Sequence, residues 1–469
     1  MNAPSPFLSG PAEVTRRNFL ATGAKLGAAM LAVPYVARAA PGSGGADRLN
    51  VALIGCGEQG RVLLNSALKI PDVRFKAVCD IWPYHCTYGE RLLKKFGHDA
   101  RPFEDYREML SAVPELDAVL VATPDFMHAE HTNNCLRAGK HVYCEKLMSN
   151  TVEGARSMVR TARETGKLLQ IGHQRRSNPR YQHVREKILG EGRLLGRITN
   201  VNGQWNRAVS DDFGWPERYV LAESVLHKYG YANMREFRNW RWFKKYAAGP
   251  ISDLGAHQID IYNWFLGANP CAVLAGGGTD FYTAHEWYDN VMAIYEFATP
   301  AGVVRAFYEV LTTTSAGGGY YEYFMGTEGA LKMSENPKYT QLFREAAAPD
   351  WAQWVQRGFV RRPGEVDEGT GPPKPWEKEQ RPKFTLAPPR ASVVDVRETV
   401  ALSTWEIPVT LAEPIHQPHL ENFFAAIRGR APLNCPAETG FASAVTVLKV
   451  NAAVAAQKML PFAPEEFTA

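Results

Sequence analysis

Lys146, Asp253 and His257 are the side chains in this sequence best suited to moving a proton. Asp253 and His257 stand four residues apart in Asp253-Leu254-Gly255-Ala256-His257, which puts them on one face of a helix. Asp260 follows three residues later, on a nearby face. Lys146 ends Cys144-Glu145-Lys146, where the apolar run from His141 stops. A lysine, an imidazole and a carboxylate converging on a hydroxyl could take its proton while hydride leaves the carbon. Spacing alone leaves plainer readings open. Asp253 could be a helix N-cap and His257 a core histidine, and Lys146 could be half of a surface ion pair. No third ligand accompanies the pair, so no metal site is expected.

The second constellation is Gly55-Cys56-Gly57-Glu58-Gln59-Gly60, entered from Val51-Ala52-Leu53-Ile54. A glycine turn between a strand and a helix lets backbone N–H groups approach a pyrophosphate at the helix N-terminus. Asp80 lies 20 residues beyond Gly60, at the end of the next apolar run. A carboxylate there accepts hydrogen bonds from the adenosine ribose and repels a 2′-phosphate, which favours NAD over NADP. Thr123 and His128 follow the run Val121-Ala122 at another strand end, where such sheets line their ligand crevice. His128 could equally cap its own helix. Glu145 and Lys146 would then lie beside the nicotinamide.

These residues need a scaffold. From Leu49 to about Ile171, apolar runs (Asn50–Ile54, Arg74–Cys79, Ala118–Ala122, His141–Cys144, Leu168–Ile171) alternate with amphipathic stretches (Gly60–Leu68, Tyr84–Phe96, His128–Ala138, Val152–Thr165). That alternation predicts an α/β fold, a doubly wound parallel sheet over residues 49–172. Asn150 and Glu153 suggest a capping box opening the last helix. Residues 173–469 read as an α+β domain with a mostly antiparallel sheet (Ile198–Trp205, Val291–Phe297, Gly302–Leu311, Tyr320–Met325) and one clear helix, Asp253–Leu266. Residues 334–410 are rich in proline and charge and read as surface loops, a lid or a subunit contact. Helices return at His419–Arg428 and Ala437–Lys458. Arg175, after Gly172-His173-Gln174, and Trp242, in Trp240-Arg241-Trp242, are substrate-contact candidates or interface packing.

Composition excludes some classes. With 53 Lys+Arg against 49 Asp+Glu the net charge is +4, and no basic block occurs, so nucleic-acid binding has no electrostatic support. Thr15-Arg16-Arg17-Asn18-Phe19-Leu20, a Gly/Ala-rich stretch and Ala37-Arg38-Ala39 read as a twin-arginine signal peptide over residues 1–40, followed by a linker at 41–48. The stretch is too short and too weakly apolar for a membrane span, so no membrane insertion is expected after cleavage. Seven cysteines without a CxxC pair do not suggest a disulfide scaffold. Export of an already folded chain is compatible with buried free thiols.

Taken together, the glycine turn, Ala122-Thr123-Pro124, Glu145-Lys146 and Asp253–Asp260 resemble the Gfo/Idh/MocA family, the glucose–fructose oxidoreductase and inositol dehydrogenase group. The resemblance covers Leu49 to about Met325 and the last fifty residues. It implies catalysis by Lys146, with Asp253 and His257 binding and deprotonating a substrate hydroxyl. It also implies a sugar or polyol substrate and a homodimer or homotetramer joined through an open-faced sheet. Leu147 stands where the family usually has proline, and Gly249-Pro250 where it often has a glycine run. The activity expected is that of a nicotinamide-dependent oxidoreductase. A redox-neutral NAD-dependent glycosidase is the alternative, and a non-catalytic nucleotide-binding protein a third reading. An exported enzyme meets no NAD pool, which predicts tightly held, internally recycled cofactor.

Overall fold

The computed structural model describes residues 48–364 and 402–469. The expected signal peptide, most of the expected linker and residues 365–401 of the proline-rich stretch lie outside them.

The first domain is built on strands β1 (Leu49–Ile54), β2 (Val73–Cys79), β3 (Arg101–Phe103), β4 (Ala118–Val121), β5 (His141–Cys144) and β6 (Leu169–Ile171). Helices α1 (Glu58–Ala67), α2 (Pro83–Lys95), α3 (Tyr106–Ala112), α4 (Asp125–Arg137) and α5 (Val152–Thr165) connect them. The strands pair in parallel in the order β3-β2-β1-β4-β5-β6, the doubly wound arrangement expected. Both faces are covered, which is why β1 reads as a continuous apolar run. Val51 and Leu53 face one core and Ala52 and Ile54 the other. Two elements escaped the sequence reading. β3 is three residues long with only Phe103 buried, and α3 has too few turns to show periodicity. The cap of α5 is also one residue later than expected: the Thr151 hydroxyl accepts from the Gly154 N–H.

A 3-10 turn (Gln174–Ser177) and α6 (Pro179–His183) lead into a nine-stranded sheet. Its strands are β7 (Ile198–Asn206), β8 (Pro270–Gly278), β9 (Asn290–Thr299), β10 (Gly302–Leu311), β11 (Tyr320–Gly326), β12 (Gly329–Met333), β13 (Gln341–Arg344), β14 (Ser403–Trp405) and β15 (Leu460–Pro461). The order is β14-β13-β12-β11-β7-β10-β9-β8-β15. Pairing is antiparallel except between β7 and β10, so the expected α+β class holds. The expectation of loops throughout 334–410 fails at its described edges. β13 and β14 extend the sheet there, and Leu342 is fully buried.

Between β7 and the next helix, residues 207–249 form a strap containing α7 (Glu223–Lys228) and α8 (Met234–Arg238). A π turn (Ile251–Gly255) then opens α9 (Ala256–Leu266). After α10 (Ala352–Gln356), the chain ends with α11 (Gln417–Ile427) and α12 (Ala437–Ala456), which return to the first domain. Leu420, Phe423 and Phe424 of α11 complete the core beneath Val51 and Leu53. α12 is long and apolar enough to cross a membrane, but half of its apolar window is buried in the protein, with Phe441, Ala444, Val447 and Val450 in the core.

Candidate active site

The carboxyl ends of β1, β2, β4 and β5 open onto one cleft of about 910 Å³, closed on its other side by the strap, the π turn and α9. The glycine turn forms one wall. Gly55 adopts φ +93°, and a Cβ there would lie 2.5 Å from the Ala122 carbonyl oxygen. At Gly60 a Cβ would lie 1.9 Å from the Gly55 carbonyl oxygen. Those two glycines serve the turn itself. Gly57 differs: its φ is −66°, and a Cβ would meet only the His85 ring, at 3.7 Å. Among the described residues none crowds a side chain at position 57, and the space Gly57 keeps clear lies before the first N–H groups of α1. The cradle therefore fits a dinucleotide pyrophosphate.

Asp80 stands at the end of β2 with its carboxylate already oriented. Its Oδ2 accepts from the Cys56 N–H at 2.7 Å and its Oδ1 from the Trp82 N–H at 2.8 Å. This ties the acid to the glycine turn and leaves its remaining lone pairs for ribose hydroxyls. Glu58 is exposed at the start of α1, and Gln59 lines the cleft. The Gln59 Nε2 donates to Glu145 Oε1 at 3.0 Å and lies 3.1 Å from His416 Nε2. Tyr143 donates to the same Glu145 oxygen at 3.3 Å.

Thr123 lines the cleft, its hydroxyl 3.1 Å from His131 Nδ1. His128 is buried, with its ring nitrogens 2.7 Å from the Leu147 and Thr123 carbonyl oxygens. Two acceptors require two ring protons. Burial opposes that charge, but Cys144, Asp125 and the Leu147 carbonyl outweigh it and raise the pKa to about 10. His128 therefore pins the turn after Lys146, where the Lys146–Leu147 peptide is cis.

Lys146, Asp253 and His257 all line this cleft. The Lys146 ammonium donates to the backbone carbonyl of Asp253. The Asp253 carboxylate does not orient His257, as a shared helix face suggests. It accepts instead from Arg241 Nε at 3.0 Å and lies 4.0 Å from Arg207. Burial disfavours its charge, but Arg241, Lys146 and Arg207 hold its carboxyl well below the usual range. His257 packs beside Trp205, ring centroids 5.7 Å apart, with Nδ1 buried and unpartnered. Burial, then Lys146 and Arg175, push its pKa well below the ordinary histidine value, so the imidazole is neutral. Gln174 Oε1 and His416 Nδ1, on two other lining residues, are likewise buried without partners.

One expected residue, Arg175, lies elsewhere, and so does Asp260 of α9. Arg175 is 1% exposed and does not line the cleft, because two carboxylates hold it in the interior. It pairs with Glu322 and, at 3.0 Å, with Glu335, whose other oxygen accepts from Gln174 at the cleft wall. Asp260 turns into the core, gripped by Arg176 at 2.8 Å and by Ser443 at 2.5 Å. Trp242 lines the cleft, stacked on His285 at 4.5 Å. Sequence reasoning missed Arg207 and His416. His416 meets Gln59 across 357 residues of chain, beyond any local signal.

Family models match in two pieces. Residues 49–173 match the oxidoreductase family with an NAD-binding Rossmann fold, and residues 181–332 match the GFO/IDH/MocA C-terminal domain. Among curated relatives, the chain is 31% identical to a 1,5-anhydro-D-fructose reductase of Ensifer adhaerens, over 51% of this chain and 64% of that protein. It is 31% identical to a D-glucoside 3-dehydrogenase of Escherichia coli K12, over 47% and 54%. These matches span a little over half the relatives' own length. Two solved structures share the fold. One is a levoglucosan dehydrogenase in complex with NADH (TM-score 0.62, 20% identity, 88% of this chain and 99% of that one). The other is an aldose–aldose oxidoreductase from Caulobacter crescentus (TM-score 0.63, 17% identity, 88% and 100%). With both family models matched in order along one scaffold, and the glycine turn set against Asp80, the chain belongs to the Gfo/Idh/MocA family of NAD-binding oxidoreductases.

Proposed function

We propose that the protein is an exported NAD(H)-dependent oxidoreductase that interconverts a hydroxyl and a carbonyl on a sugar, polyol or sugar derivative, with the cofactor tightly held. The observation that carries this reading is one cleft lined by two sets of equipped residues. The glycine turn and Asp80 supply one set, and Lys146, His257 and the unpartnered Gln174 and His416 atoms the other, with Gln59 linking the two through Glu145 and His416. The names of the curated relatives, a reductase of an anhydro sugar and a dehydrogenase of glucosides, support the substrate class.

Bound nicotinamide supplies the hydride acceptor or donor. Neutral His257 accepts the proton of the reacting hydroxyl. The Lys146 ammonium, held by the Asp253 carbonyl, donates to the same oxygen and stabilises charge as it develops. Asp253 remains ionised between Arg241 and Arg207, so it fixes these cations and does not act as the base. Gln174 Oε1 is placed to accept from a neighbouring hydroxyl.

The twin-arginine leader supports export, and absence of an external NAD pool supports retention and recycling within one active site. The outer face of β8 and β9 carries Leu274, Met292 and Ile294 in exposed register, which supports covering by a second copy. The test is to add a panel of aldoses, glucosides and inositols to the purified protein and follow nicotinamide absorbance, with NAD(H) supplied. No redox change with any of them would sink the proposal. Aglycone release from glycosides without added nicotinamide would transfer the protein to the redox-neutral glycosidases.

A further inference from the structure

The strap over residues 207–249 is fastened to the first domain just beyond Asp80. Trp82 Nε1 donates to the Tyr219 carbonyl at 2.7 Å, and Tyr84 packs on Tyr219 at 4.6 Å. Trp82, Leu226, Tyr231, Met234 and Tyr246 form one buried cluster that joins the two domains across the cleft. On this cluster sits Arg238, its guanidinium 5.1 Å from the Trp82 ring and 5.9 Å from Phe213. Its Nε donates to the Gly214 carbonyl at 3.2 Å, and it lines the cleft.

Arg238 has no carboxylate within ion-pair distance among the described residues, although it is half-buried. Arg235 and Arg241, its neighbours on the strap, each have one. The groups acting on Arg238 electrostatically include Glu58 and Arg61, both on α1. The guanidinium thus lines the same cleft as the α1 N-terminus that Gly57 leaves open, reaching it from the strap that closes the other side. A partly desolvated cation with no carboxylate in ion-pair contact, attracted only at longer range by Glu58 and lining the same cleft as the α1 N-terminus, is equipped for an anion.

We infer that Arg238 binds the pyrophosphate of the dinucleotide from the strap side, opposite the glycine turn. The cofactor is then gripped by both domains, and its release requires the Trp82–Tyr219 seam to part. This rests on the NAD(H) reading of the cleft and adds a residue from outside the first domain to it.

The test compares adenosine with ADP, which differ only in the diphosphate. Each is titrated against protein-bound NADH, read by energy transfer from tryptophan, in wild type, Arg238→Gln and Arg238→Lys. Loss of a charge-assisted hydrogen bond should weaken ADP about ten- to hundred-fold in Arg238→Gln, leaving adenosine unchanged. Arg238→Lys should recover part of the loss, and NADH should leave Arg238→Gln faster on dilution. An equal loss for adenosine and ADP assigns Arg238 a merely structural role and overturns the inference, as does no loss for either. If wild type binds neither NADH nor ADP, the dinucleotide reading itself fails, whatever the variants do.

Discussion

Gly57→Ala separates the cofactor from the fold. At Gly57 the backbone (φ −66°, ψ −163°) is one any L-residue adopts, and the new methyl would touch only His85, at an ordinary 3.7 Å. Folding should therefore not suffer. Loss of glycine's freedom in the unfolded chain, about 0.4–1 kcal/mol, is offset by alanine's poorer capping at this helix N-cap, so stability should stay near wild type. The methyl nevertheless enters the space before the α1 N-terminus, where a phosphate must come within hydrogen-bond distance of backbone N–H groups. Displacing one such charge-assisted bond costs about 1.5–3 kcal/mol, or roughly ten- to hundred-fold in affinity. The neighbouring Gly60→Ala is the control. Its Cβ would lie 1.9 Å from the Gly55 carbonyl oxygen, so the turn must distort and stability should fall with binding. The assay is thermal unfolding with and without a series of NADH concentrations. Gly57→Ala should melt near wild type without ligand and gain much less on adding NADH. A Gly57→Ala protein stabilised by NADH as strongly as wild type would refute the placement of the pyrophosphate.

His257→Asn and Lys146→Ala should each lower turnover by about 10²–10⁴-fold, the usual contribution of a positioned acid or base, while NADH still binds in fluorescence titration. His257 is held neutral well below the ordinary value of 6.5, so the acid limb of hydroxyl oxidation should lie below pH 6.5. Lys146→Met removes one of the charges depressing that value, so any residual activity should show its acid limb shifted upward. Asp260→Ala should act on stability instead, because it strands Arg176 in the core. A loss of about 3–5 kcal/mol in denaturant unfolding is expected, whereas removal of a merely exposed carboxylate would cost far less.

Much of the scaffold was legible because each buried strand of the first domain is a short apolar run with turn residues at both ends. His141–Cys144 and Val152–Thr165 were read to the residue. The glycine turn and Asp80 were legible for the same local reason, since the spacing is imposed by one strand, one turn and one helix. What escaped was decided at a distance. Arg175 and Arg176 are adjacent, and nothing in sequence tells that one serves Glu322 and the other Asp260. A helical wheel joins Asp253 to His257, but it cannot show that Arg241, on the strap, takes the carboxylate first. Short elements such as β3 carry too few buried residues to announce themselves.

The closing helices set the order of events during synthesis. Leu420, Phe423 and Phe424 fill the core under β1, and the isolated bridge between Gln170 and Pro436 joins β6 to the segment leading into α12. The first domain is encoded early, yet it remains unfinished until the last part of the chain has left the ribosome. A truncation before residue 417 should therefore leave an early domain whose sheet is exposed on the side that α11 covers.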